Sequence, residues 1–181
     1  MKKRTLAVLI AAIMVVACAV GGTLAWLKSQ TQEVVNTFTA GDINITLAET
    51  TSNYKMVPGN DIAKDPKVTV KAGSEACWLF VKIEKSTNFD SFMTYTVANG
   101  WTALGEAYPG VYYRTVAAST ADTAFDVLAN NKVTVKDSVT KSMMDEITNG
   151  TANAPTLTFT AYAVQSSGFS TAAAAWAEAS K

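Results

Sequence analysis

Runs in which apolar and polar residues alternate make up most of the chain after residue 41. In residues 42–49 this pattern predicts that Ile43, Ile45 and Leu47 face one way, opposite to the polar residues between them. A period of two is typical of β-strands with one solvated face, and threonine, valine and aromatic residues favour that state. The pattern predicts further strands at residues 67–73, 93–97, 111–116, 132–136 and 156–164, separated by turns rich in glycine, proline and asparagine.

Apolar residues fall on both faces of residues 76–84, which predicts a central strand that is buried on both sides for half its length. One face carries Cys77, Leu79, Val81 and Ile83, and the other carries Trp78 and Phe80. Helical spacing indicates two short helices, at residues 138–147 and 171–179. With about eight strands in total, the predicted fold is an all-β, antiparallel, jelly-roll-like β-sandwich with one or two short helices.

The N-terminus has the organisation of a secretory signal peptide. An uncharged stretch from residue 5 to residue 27 follows three basic residues, Lys2, Lys3 and Arg4. Thr23 and Ala25 are small residues at the third and first positions before a peptidase cut, which predicts cleavage between Ala25 and Trp26.

Two alternatives remain for this segment. The uncharged stretch is long enough for a retained membrane anchor, since about 20 apolar residues span a bilayer, although Gly21 and Gly22 weaken its end. Cys18 fits a loose pattern for a lipid-modified cysteine, but the chain stays apolar after it. We expect a signal peptide in residues 1–25, an N-terminal arm in residues 26–41 and the β-sandwich domain in residues 42–181.

Composition narrows the function. The chain has no histidine, so His-dependent triads and the H-E-x-x-H zinc protease motif are excluded. Removal of residues 1–25 leaves 12 basic and 15 acidic residues, a net charge of −3, with no basic face for nucleic acid. The remaining chain keeps one cysteine, Cys77, so it forms no internal disulfide and its stability must come from its core. Cys77 is predicted to be a buried apolar residue.

A few residues could carry chemistry, each with a simpler interpretation. Asp61 and Asp65 could bind calcium, but the spacing of a calcium loop is absent, which favours solvated turn residues. Lys82 could form an amide staple with an asparagine, or could be an exposed polar residue paired with Glu84. Met143 and Met144 have the spacing of core residues on a helix. Four aromatic residues could stack on sugar rings or could cover the core, namely Trp101, Tyr108, Tyr112 and Tyr113.

The segments GGTLAWL, VVNTFTAGDINITLAE and YKMVPGNDIAKDPKVTVKAGSEACWLFVKIE resemble the TasA/camelysin family of exported Gram-positive proteins. The N-terminus is similar to signal peptides processed by a dedicated SipW-type peptidase. The resemblance covers residues 20–85 well, and AYAVQSSGF near the C-terminus is similar to the end of the family sequence. It implies a jelly-roll-like sandwich that serves as a fibre subunit of a biofilm matrix.

The resemblance also implies a mode of assembly, in which the N-terminal strand of one subunit completes the sheet of the next. The corresponding donor segment consists of Val34, Val35, Asn36, Thr37, Phe38 and Thr39. It follows the polar segment KSQTQE, which can act as a free arm until a partner orders it. The expected partners are other copies of the chain, head to tail, a signal peptidase and minor matrix proteins, and no metal or cofactor is expected.

Two other functions remain open. A surface adhesive or sugar-binding module would use the aromatic residues, and a camelysin-like metalloendopeptidase would need metal ligands. The lack of histidine disfavours the enzyme.

Overall fold

The computed structural model of the protein describes residues 41–50 and 54–181, and all structure reported below lies in these ranges. They contain ten β-strands, three short α-helices and one turn of 3-10 helix at Ala129–Asn131. The strands are β1 (Ile45–Ala48), β2 (Asp61–Ala63), β3 (Lys67–Val70), β4 (Cys77–Lys85), β5 (Met93–Thr94), β6 (Thr102–Ala103), β7 (Val111–Val116), β8 (Thr123–Asp126), β9 (Lys132–Val135) and β10 (Leu157–Gln165). The helices are α1 (Phe89–Phe92), α2 (Lys141–Thr148) and α3 (Ala172–Ala179).

The strands form three sheets in which every pair is antiparallel. Sheet A has the order β1-β3-β8, sheet B has the order β2-β9-β5, and sheet C has the order β10-β4-β7-β6. The prediction of an all-β, antiparallel class with a few short helices is therefore confirmed.

Strand β4 is the centre of the core, as its two apolar faces predict. Its odd-numbered residues join Val68 and Val70 of sheet A in one buried cluster, which lies between sheets A and C. On its other face, Phe80 packs with Trp176 of α3, with ring centroids 5.3 Å apart. Burial of both faces explains why this strand is almost continuously apolar.

A separate apolar cluster covers sheet B. Phe89 and Phe92 of α1 pack there with Val133 and Val135 of β9. The half-buried side chains that join this cluster include Met143, Met144 and Ile147 of α2. The two methionines therefore pack against apolar residues, as their spacing predicts.

Several predicted boundaries need correction. Helix α2 begins at Lys141 rather than at residue 138, because the Thr140 hydroxyl caps it by accepting from the Met143 amide at 3.3 Å. The strand predicted at residues 93–97 is only Met93–Thr94, and Val97 forms an isolated bridge with Leu128. The strand predicted from residue 42 begins at Ile45.

Four short elements were not predicted from the pattern, namely β2, β6, β8 and α1.

The turn before β7 shows why one glycine is needed. Gly110 has φ +77°, and a Cβ there would lie 2.4 Å from the carbonyl oxygen of Ile83.

Candidate assembly edge

Strand β10 is at the edge of sheet C and is one of its two longest strands, with nine residues. The Ser166 amide donates to the Ala76 carbonyl at 2.8 Å, and the Ser86 amide donates to the Thr156 carbonyl at 3.0 Å. Even-numbered residues of β10 therefore bond to β4, and the odd-numbered ones direct their N–H and C=O groups away from it. Among the described residues, no strand pairs with this outer side. The outward backbone groups belong to Leu157, Phe159, Ala161, Ala163 and Gln165.

The inward side chains of β10 are also incompletely covered. Phe159, Ala161 and Ala163 point toward the cluster between sheets A and C, yet they are only half-buried. Their partners across the ladder on β4, which are Ile83, Val81 and Leu79, are at most 4% exposed. Two neighbouring strands thus present the same apolar face, and only β4 is covered on both sides by strands.

Strand β1 lies beside β10 and is the corresponding edge of sheet A. Leu47 is paired with the fully buried Val68 and so faces the same way, but it remains 37% exposed. We call β1 and β10 together the open edge. An exposed leucine that faces inward marks a place where the core between two sheets lacks cover.

The described chain begins at one end of the open edge. The Glu75 amide donates to the Asp42 carbonyl at 3.0 Å, and Ala76 accepts from Ser166 directly after β10. Gly41 therefore lies at the Gln165 end of β10. The residues predicted for cleavage and for strand donation lie outside the described ranges, namely Thr23, Ala25, Trp26, Val34, Val35, Asn36, Thr37, Phe38 and Thr39.

A cleft lies at the other end of β10. It has a volume of about 460 Å³, within the range of ligand pockets. Lys64 is one of its lining residues, and its Nζ lies 2.7 Å from Glu49 Oε1 and 5.4 Å from the ring centroid of Phe159. The Tyr54 hydroxyl donates to the same Glu49 oxygen at 2.8 Å. The apolar lining comes from Met56, Ile62, Phe89, Met93, Val133 and Leu157.

The opposite edges of the same two sheets are closed. The Trp101 indole donates to the Asp126 carbonyl at the end of β8, at 2.9 Å. The Arg114 guanidinium lies 3.7 Å from the ring centroid of Phe125 and 5.4 Å from that of Trp101. Burial lowers the pKa of Arg114 from its usual value. We call Trp101, Arg114 and Phe125 the closed edge.

The two aspartates that were considered as calcium ligands, and interpreted as solvated turn residues, have protein partners. Asp61 lies in strand β2, not in a turn, and its carboxylate accepts from Lys132 at 2.7 Å and Thr134 at 2.6 Å. These hydrogen bonds lower the pKa of Asp61. Asp65 accepts from the Thr50 hydroxyl and, at 3.0 Å, from the Thr50 amide, and these bonds lower its pKa. Each carboxylate is thus held by hydrogen bonds to its own neighbours in the fold.

Lys82 and Cys77, the two side chains considered for covalent chemistry, also have structural roles. Lys82 Nζ lies 2.7 Å from Glu84 Oε1, the partner that the exposed-pair interpretation predicts. Cys77 is fully buried, as predicted, and burial raises the pKa of its thiol. A thiol with a raised pKa is a poor nucleophile and a poor metal ligand.

The four aromatic candidates do not share one face. Tyr112 packs toward the cluster between sheets A and C, together with Trp101. Tyr113 packs on the other face of sheet C, where Tyr108 also lies. All four are half-buried, so they cover the core rather than form a common stacking platform.

In the part of the chain that the structure describes, no group of three or more Cys, Asp or Glu residues could hold a metal ion. No helix in that part is both long and apolar enough to span a membrane.

Comparison with other proteins identifies no relative, since no protein-family model, no curated protein and no solved structure matches this chain.

Proposed function

We propose that this chain is a secreted structural subunit of extracellular biofilm matrix fibres, which assembles by N-terminal strand donation. The observation that carries the proposal is the open edge, where no described strand pairs with the outer backbone of β10 and the apolar side chains are only half-buried. The segment resemblance to the TasA/camelysin family supports the same function. Most partners are other copies of the chain, and minor matrix proteins join them.

The proposed fold is a jelly-roll-like β-sandwich formed by sheets A and C. The buried cluster that joins Val68 and Val70 to the inward residues of β4 supports this arrangement. In a sandwich, the two edge strands on one side border the end of the core. One added strand at that side would cover Phe159 and Leu47 together and would pair with β10.

Strand addition suits this edge for two physical reasons. Main-chain hydrogen bonds supply affinity, and the alternate side chains of the added strand fill apolar sites. The donor segment offers Val34, Val35 and Phe38 as β-favouring apolar residues. An exposed edge of nine residues would otherwise be a site of uncontrolled aggregation. A dedicated donor would turn this liability into directed assembly.

Secretion is part of the proposal. A signal peptidase is proposed to cleave between Ala25 and Trp26, which releases the arm as a new N-terminus. The product is placed in the extracellular matrix or at the cell surface, and it contacts the membrane only through the uncleaved signal segment. N-terminal sequencing of the secreted protein tests this step, and a lipid-bearing start at Cys18 would contradict it.

The decisive experiment compares the secreted protein with a variant that lacks residues 26–39. At equal concentration we expect linear fibres from the first by electron microscopy. The variant should elute as a folded monomer in size exclusion, with a far-UV circular dichroism spectrum of β-structure. Fibres that persist in the variant would exclude strand donation. A wild-type protein that stays monomeric, even when seeded, would favour the adhesive or sugar-binding alternative.

The metalloendopeptidase alternative has a separate test. Casein cleavage that a chelator abolishes, together with stoichiometric zinc in the purified protein, would support that alternative. We expect neither result, because Cys77 is buried and the chain has no histidine.

A further inference from the structure

The two ends of β10 differ, and the difference defines a direction of assembly. The chain that leads into the domain is at the Gln165 end, next to Gly41. The apolar cleft is at the Leu157 end, about 26 Å away at about 3.3 Å per residue. Both ends belong to one edge strand.

We propose that the arm of a second copy adds antiparallel to β10 and that its Phe38 occupies the apolar cleft at the Leu157 end. This inference rests on the proposed function and specifies the partner, the strand direction and the anchoring site. It follows from how far each arm can reach. Phe38 precedes Gly41 by three residues, so an extended chain places it at most about 11 Å from Gly41.

A chain's own Phe38 therefore cannot reach its own cleft. An arm that folded back along its own β10 would also run in the same direction as β10, toward the Gln165 end. Every strand pair in the described residues is antiparallel. An arm from a second copy that stands beyond the Leu157 end runs antiparallel and brings Phe38 to the cleft.

This geometry repeats from one subunit to the next. Each subunit sends its arm out at the Gln165 end and receives its neighbour's arm at the Leu157 end. The contact is head to tail, so it need not close into a ring and can continue as a fibre whose axis follows β10.

The chemistry of the cleft suits an aromatic side chain. Met56 and Met93 line it, and methionine sulfur makes favourable contacts with aromatic rings. Lys64 in the lining is already paired with Glu49 at 2.7 Å, so it does not require an anionic ligand. Lys55, the other lysine of the lining, is exposed to solvent, so an incoming aromatic ring would leave no charge buried without a partner.

Cross-linking tests the direction. Thr39, next to Phe38, is replaced by cysteine together with a cysteine at either end of β10, in T39C/T156C and T39C/Q165C. Both acceptor positions are exposed, and Cys77 is buried in both variants. Treatment of the fibres with a short bismaleimide should give a ladder of cross-linked oligomers for T39C/T156C and none for T39C/Q165C.

Only links between chains are scored, because Thr39 is two residues from Gly41 and can therefore reach Gln165 of its own chain whichever way the arm runs. A ladder in T39C/Q165C, or no product in T39C/T156C, would overturn the inference. In each of these cases fibres are present, so strand donation as such survives. If no fibres form from the wild type, the proposed function fails instead.

A charge exchange tests the anchoring site. F38D and M56K alone should each lower the rate of seeded fibre growth at least about tenfold, because each buries an unpaired charge. The double variant F38D/M56K should recover at least about tenfold over F38D, and F38L should stay within about threefold of the wild type. No recovery in a double variant that is folded by circular dichroism would exclude the contact between Phe38 and the cleft.

Discussion

The open edge and the closed edge end the same two sheets in different ways. At the closed edge the Trp101 indole caps a β8 carbonyl, and Arg114 lies over Phe125. At the open edge no strand of the described residues pairs with the outer side of β10, and Leu47 is 37% exposed although it faces the core. Within residues 41–50 and 54–181, side chains thus seal the core between the sheets on one side only.

This difference teaches which edge can take part in assembly. The closed edge offers few backbone groups to another strand, because β6 has two residues and β8 has four, and one β8 carbonyl already accepts from Trp101. The open edge offers a continuous row of them beside apolar side chains. Changes at the open edge should therefore alter assembly, whereas changes at the closed edge should alter stability alone.

Ala161→Pro should have the largest effect, and it tests whether the outer backbone of β10 takes part in assembly. The Ala161 amide points away from β4, so its loss leaves the ladder of sheet C intact, and edge strands tolerate proline in this orientation. A161P should fold and should fail to form fibres. Thr160→Pro is the matched control, because the Thr160 amide faces β4. Loss of that ladder hydrogen bond leaves its acceptor unsatisfied and should lower the free energy of unfolding by about 1–3 kcal/mol.

Electron microscopy and thermal unfolding of the two variants decide this prediction. Fibres from folded A161P at the wild-type rate would show that the outer backbone of β10 is not used. Equal loss of stability in both variants would show that the two sides of the strand do not differ.

Leu47→Asp examines the apolar side of the open edge. Because Leu47 is partly exposed and faces inward, its replacement should cost little stability but should put a charge where the added strand packs. We expect fibre growth to fall about tenfold, measured by seeded light scattering. The matched control is Thr46→Asp, on the exposed outer face of the same strand, which should leave growth unchanged. Similar growth of the two variants would contradict the assignment of this face.

Much of the fold could be predicted from the sequence where strands are long and strongly patterned. Strand β7 has the predicted bounds, and the alternating faces of β4 are buried as expected. Strand β8 was missed because its four residues, TAFD, include alanine and aspartate, which disfavour strands by themselves. Its partner β3 lies more than 50 residues earlier in the chain, so tertiary pairing decides its state.

The candidate site was less accessible to sequence analysis. Strand β10 was predicted from its alternation, but its position at a sheet edge depends on which strands pair, and alternation does not encode pairing. The cleft combines Met56, Phe89 and Leu157 from three separate segments, so no local motif could indicate it. The donor segment was identified only through a family resemblance.

Cys77→Ser tests whether the Cys77 thiol contributes to core packing only and not to assembly. The residue is fully buried in the cluster between sheets A and C, so a serine hydroxyl there should lower the free energy of unfolding by about 1–3 kcal/mol. Fibre formation should persist. Because burial raises the thiol pKa, the native wild type should react with a thiol reagent at pH 8 only after denaturation. Rapid labelling of the native protein would contradict the burial of Cys77.

Arg114→Ala should have the smallest effect and should act on stability alone. It removes the stacking of the guanidinium on Phe125 and Trp101, worth about 1 kcal/mol in partly buried settings. For a domain of this size, that loss lowers Tm by about 2–4 °C. Arg114→Lys keeps the charge without the planar stack and should lose a similar amount. Scanning calorimetry measures both, and fibre growth should match the wild type at a temperature well below both transitions. Slower growth of Arg114→Ala at that temperature would show that the closed edge also takes part in assembly, and the distinction between the two edges would then be wrong.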